Sequence, residues 1–198
     1  MSATTMNGTR AAGGGRYGSV AQAFHWLVVA MLAGQYSVAL WLSYVLPKSA
    51  EGDLVAWHFS LGSSIAVVMV LRLAWRLTHP PPPAPRDLPG SLRLLSRATH
   101  WVFYGVFIVL PFLGWAAAAA DAARVKLAGL IPLPLLVPKD DPFGKAMQTV
   151  HPAIAITLLA VIALHIAGAL YHALVKHDGV LGRMLPGRRA DLEASANL

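Results

Sequence analysis

The sequence predicts an all-α integral membrane protein, a four-helix bundle with both termini on the cytoplasmic side. Three observations lead there. Four apolar runs, near residues 20–45, 55–77, 98–119 and 150–175, each reach the roughly 20 residues needed to cross a bilayer. Charge is sparse: 13% of the 198 residues are Asp, Glu, Lys or Arg, against about 25% in soluble domains, and the mean hydropathy is +0.56. The charges that exist gather between the apolar runs. Eleven of the 16 Lys and Arg fall on the side shared by the termini and the second connection, which the positive-inside rule assigns to the cytoplasm.

Taken in order, residues 1–18 are rich in Gly, Thr and Ala and read as a disordered cytoplasmic tail. They do not form a signal peptide, because the apolar run that follows is too long for an h-region and holds His25. The first and second spans come next. "THPPPPAPRDLPG" (78–90) lacks backbone donors at its prolines and reads as a stiff polyproline strap to the third span. Pro111 sits inside that third span and predicts a kink, which membrane helices tolerate. The apolar stretch 127–144 is cut by prolines and reads as an interfacial cap on the outer face rather than a fifth span. The fourth span follows, then a cytoplasmic tail over 181–198. The functional domain is therefore 19–180, a four-helix transmembrane di-haem domain on the reasoning below.

Composition excludes several chemistries. The chain has no cysteine, so disulfides, iron–sulfur clusters, thiolate haem ligation and Cys-x-x-Cys-His haem attachment are ruled out. The net charge of +7 does not signal nucleic acid, because the basic residues flank apolar segments instead of forming a stripe with aromatics.

The histidines carry the chemistry. Ionisable side chains at membrane depth are costly and mark function, and His25, His58, His100, His151, His165 and His172 all lie in or at the ends of spans. His151 and His165 are separated by 14 residues, about 21 Å along a helix and about 40° short of four full turns. One helix thus presents an imidazole at each of two depths on nearly one face. By depth, His58 meets His151 on the outer side and His25 meets His165 on the inner side. Two opposed imidazoles fit the axial positions of six-coordinate haem b, and two such pairs imply two haem b groups. A closed zinc site would need four ligands at one depth. Arg72 and Arg76, near the inner end of the second span, can pair with haem propionates or snorkel to the interface. His79 and His177 fall outside the scheme.

The stretches "YGSVAQAFHWLV", "WHFSLGSSIAVVMVLRLAWRLTHPPPP", "HWVFYGVFIVLPFLGW", "VHPAIAITLLAVIALHIAGALYHAL" and "LGRMLPGRR" together resemble the bacterial cytochrome b561 family of di-haem membrane cytochromes, over residues 17–186. The resemblance implies the same pairing, His25 with His165 and His58 with His151. It also implies a quinone site at the cytoplasmic face, on positions His100 and His172, with Arg97 one turn before His100 as a further contact. The implied activity is that of a superoxide:ubiquinone oxidoreductase (superoxide oxidase) in the bacterial inner membrane. Arg124, Lys126, Lys139 and Lys145 would attract the superoxide anion, opposed by Asp121, Asp140 and Asp141. The stretch 127–138 departs most from the family. The other reading is a haem-bearing anchor subunit that passes the electrons of a dehydrogenase or hydrogenase to quinone. A helix bundle without haem is the third.

Overall fold

Long apolar sequences with few breakers form helices in lipid, because every backbone N–H and C=O must be satisfied within the segment. Four such helices make up the chain in the computed structural model: α1 (Ser19–Tyr44), α2 (Gly52–Thr78), α3 (Gly90–Ala120) and α4 (Pro142–Tyr171). The structure describes residues 15–45, 47, 52–85 and 88–186. Most of both expected tails lies outside these residues, as do Arg10, Lys48, Arg86, Arg188 and Arg189 from the orientation count. All four helices are long and apolar enough to span a membrane.

The helices lie in a simple sequential arrangement: α1 packs on α2, α2 on α3 and α3 on α4. Side chains bridge α1 to α4, as where the Tyr36 hydroxyl donates to the Ala155 carbonyl at 2.8 Å. The core is a thin cluster at mid-height formed by Val28, Ile65, Met69, Tyr104, Phe107 and Leu158. Most other large apolar side chains face outward, as expected where lipid, not water, is the solvent. Exposed Trp26, Trp101 and Tyr171 ring the termini end, and Trp41, Tyr44 and Trp57 ring the loop end, the pattern of interfacial aromatic belts.

Two helices start well before the apolar runs that announce them. The fourth span, expected from residue 150, begins at Pro142, because Asp141 caps it by accepting the Gly144 N–H at 3.1 Å and proline occupies the first turn. The third begins at Gly90 rather than 98, since its first two turns are too polar to register as bilayer-spanning. Pro111 and Pro152 both sit within continuous helices.

The segment between α3 and α4 folds back over the loop end of the bundle. It contains one two-residue ladder, β1 (Lys126–Leu127) against β2 (Ile131–Pro132), antiparallel, a departure from purely helical structure. The Leu133 N–H donates to the Val125 carbonyl at 2.9 Å, and the Trp115 indole donates to the Pro134 carbonyl at 3.0 Å. At its far side Lys145 pairs with Asp121 at 2.6 Å and Asp140 at 3.4 Å, and hydrogen bonds from Lys145 and Gln148 hold the exposed Asp121 carboxyl below its usual range. Lys145 is therefore tied into the cap by two of the carboxylates expected to oppose it.

At the termini end, Arg16 and Tyr17 lie in the stretch expected to be a tail, yet they hydrogen-bond to the Leu185 and Arg183 carbonyls. Gln22 and Trp26 donate to the Arg183 and Met184 carbonyls, and the Arg183 guanidinium reaches the Pro83 carbonyl of the proline strap at 2.8 Å. The C-terminal segment thus laces α1 to the strap.

Candidate functional site: two histidine pairs on one helix

α4 carries His151 and His165 without interruption. At the loop end, the His58 and His151 rings stand 6.1 Å apart between centroids, at 77° to each other. At the termini end, His25 and His165 stand 6.2 Å apart at 67°. A ring nitrogen binds a divalent metal at about 2.0–2.1 Å. Two imidazoles facing across one metal therefore place their ring centres about 6 Å apart. Both pairs have this spacing, and Leu158, Ile65 and Met69 of the core lie between the two levels. Among the described residues, no three His, Asp or Glu groups converge to hold a metal by themselves, so an ion between either pair would take its further ligands from outside the protein.

The loop-end level has open space between its helices. A cavity of about 540 Å³ opens there, lined by His58, His151, Gln35, Gly62, Phe107 and Trp115 among others, within the range of cofactor pockets. His151 Nδ1 lies 3.1 Å from the Leu110 carbonyl. A carbonyl only accepts, so Nδ1 carries the proton and Nε2 keeps the lone pair that a metal needs. α3 can approach this close because residue 114 is glycine: a Cβ there would stand 2.9 Å from His151 Cε1.

The termini-end level is tighter. Arg72 Nη2 donates to His25 Nδ1 at 3.3 Å, and its guanidinium lies 5.8 Å from the centre of the buried Tyr104 ring, a cation–π distance. His100 lies 5.4 Å from His165, and its Nδ1–H donates to the Ser96 carbonyl at 2.6 Å. A cavity of only about 30 Å³ lies beside Arg72, Arg76, Trp75, His79 and His100, room for a single water.

The remaining expected residues are dispersed. His172 does not line that small cavity; its Nδ1–H donates to Asp178 at 2.6 Å, held there because the chain leaves α4 through a π-helical turn (His172–Lys176) and a left-handed His177. Burial pushes the Asp178 carboxyl up, but the His172 ring and the Val180 N–H outweigh it and bring it below its usual value. Arg97 is exposed on α3. His79 stacks on Trp75 at 3.7 Å. Of the small residues near the histidines, Gly168 leaves open space, whereas the Gln35 side chain already occupies the space beside Gly62. Sequence reasoning missed Gln35, Gly114 and Asp178. A polar residue within the first apolar run was the available signal for Gln35.

The sequence profile of prokaryotic cytochrome b561 matches residues 16–187. A protein of Yersinia pestis described as a probable superoxide oxidase CybB is 31% identical over 175 residues, covering 88% of this chain and 98% of the relative. Two Escherichia coli K12 proteins, cytochrome b561 homologs 2 and 1, are each 28% identical, over 89% and 83% of this chain and 94% of each relative. With four spanning helices and a family profile that runs nearly end to end, the chain belongs to the prokaryotic cytochrome b561 family, multi-pass bacterial membrane proteins of electron transfer for which haem b binding is implied.

Proposed function

We propose that this protein carries electrons across the bacterial inner membrane, from superoxide at the loop end to ubiquinone at the termini end, with the termini in the cytoplasm. The observation that carries this reading is the pair of ring separations, 6.1 and 6.2 Å, at two levels of one helix. His58 and His151 would hold one haem b, and His25 and His165 the other. When bound, such groups would pass single electrons.

The residues divide the work by level. Leu110 and Gly114 hold His151 in the tautomer that ligates. Arg72 now donates to His25 Nδ1, which puts that ring's proton on Nε2, so Arg72 must leave before His25 can ligate. A propionate is the anion suited to draw it away, with Arg76 beside it. His100 Nδ1–H is committed to Ser96 and His172 Nδ1–H to Asp178, so each leaves Nε2 for proton exchange with a quinone oxygen. Arg97 is a second contact at that face. Two electrons and two protons convert the quinone to quinol, and each superoxide releases one electron as it becomes oxygen. Superoxide is supported by the description of the Yersinia pestis relative and by Arg124, Lys126 and Lys139 in the loop-end cap, which draw a small anion. The exposed Leu130–Ile131 hairpin tip favours a second reading, an anchor subunit docked to a larger dehydrogenase.

Stopped-flow mixing with superoxide distinguishes them. The haem-loaded protein should be reduced by superoxide at least tenfold faster than a His151→Ala variant, and added ubiquinone should reoxidise it. Reduction no faster than in the variant would exclude superoxide as the donor and leave the anchor reading.

A further inference from the structure

Gln35 enters the loop-end cavity from α1. Its amide nitrogen stands 3.1 Å from Nδ1 and 3.2 Å from Nε2 of His58. Its amide oxygen is buried with no hydrogen-bond partner, an arrangement that costs about 1–3 kcal/mol and is rare enough to need a reason. The position is specific: a Cβ at residue 62 would come within 3.2 Å of the amide nitrogen, and glycine leaves the amide its place. A half-turn of the terminal amide exchanges its nitrogen and oxygen, which are nearly equal in size. The oxygen then stands over the His58 ring, nearly equidistant from its two nitrogens, and a turn of that ring about its Cβ–Cγ bond aims the Nδ1–H at it. On the facing ring, the Leu110 carbonyl already accepts from His151 Nδ1 at 3.1 Å.

We propose that Gln35 is a positioning residue of the loop-end site. Its amide oxygen accepts the Nδ1–H of His58, holds that ring with Nε2 toward His151, and lowers the reduction potential of the haem between them. The proposal rests on the bis-histidine reading above. An acceptor on Nδ1–H makes the imidazole a stronger donor through Nε2, and a stronger donor favours ferric over ferrous iron. At the other level the neighbour of His25 Nδ1 is Arg72, a donor and not an acceptor. An acceptor on the loop-end ring alone makes the downhill direction for an electron run from the loop end to the termini end.

The test is a spectroelectrochemical titration of the purified, haem-loaded protein, with the loop-end wave identified as the one lost in His58→Ala. Gln35→Leu removes the acceptor and should move that wave upward. A tenfold loss of ferric preference, typical for an outer-shell partner, reads as about 59 mV for a one-electron couple. Gln35→Glu supplies a stronger acceptor and should move the same wave downward, with the other wave unchanged in both. Two haems per chain with the loop-end wave unmoved, or moved the same way by both variants, would overturn the role of Gln35 alone. Should Gln35→Leu fail to fold, the direction of the Gln35→Glu shift decides. Wild-type protein with fewer than two haems, or two waves surviving in His58→Ala, would remove the haem reading and the proposal with it.

Discussion

His151 owes its orientation to two features of α3, the Leu110 carbonyl and the missing side chain at Gly114. A methyl group at 114 would stand 2.9 Å from the ring, closer than carbon atoms approach, so the imidazole must turn away and lose its carbonyl. Gly114→Ala should therefore lower haem affinity at the loop end about 10–100-fold, seen as one haem per chain after purification instead of two. Gly105→Ala is the control, because a Cβ there meets nothing within 4 Å, and it should keep both. At this scale the sequence was legible where spacing alone sets position: His151 and His165 share a face because 14 residues nearly complete four turns. Gly114 and Asp178 were not legible, and Gln35 stood out only as a polar residue within an apolar run. Their roles depend on a partner helix or a reversed chain direction that no spacing along their own element reveals.

Helices α3 and α4 start well before their apolar signatures, and the reason is local. Asp141 and Pro142 start α4 two turns ahead of the lipid-crossing stretch, and hydropathy is blind to cap chemistry. The other end of α4 stops where the π-helical turn and His177 bring Asp178 back onto His172. Since the Asp178 carboxyl lies below its usual 3.8 in the folded chain, its contribution is present above that value and lost as pH falls through the folded value. Hydrogen exchange in the 172–185 segment should keep the same protection from pH 8 to 5, apart from the intrinsic exchange rate, as far as this carboxylate governs it, and lose it only below 3.8. Asp178→Asn should remove about 2 kcal/mol of that protection at pH 7, the worth of a hydrogen bond to a charged group. Unchanged exchange in the variant would show that the segment is held by Arg16, Gln22, Trp26 and Arg183 instead.

On the scale of the whole molecule, two histidine levels about 21 Å apart are separated by one apolar core and joined by one helix. The four spans could be read from the sequence because lipid imposes length and apolarity on every one of them. The short ladder in the loop-end cap escaped notice because it rests on only two residue pairs within a proline-broken stretch. The tight packing at the termini level escaped it too, since it depends on Arg72 reaching from α2 to a ring on α1. The line between α1 and α4 is crossed by side chains such as Tyr36, whose hydroxyl donates to the Ala155 carbonyl. The central claim is that each level holds one haem through its own two histidines, and haem counting on single-ligand variants tests it most directly. Wild-type protein made with ample haem should carry two haems per chain, with His151→Ala and His165→Ala keeping one each and losing different redox waves. Two haems retained in both variants, or the same wave lost from both, would contradict the account.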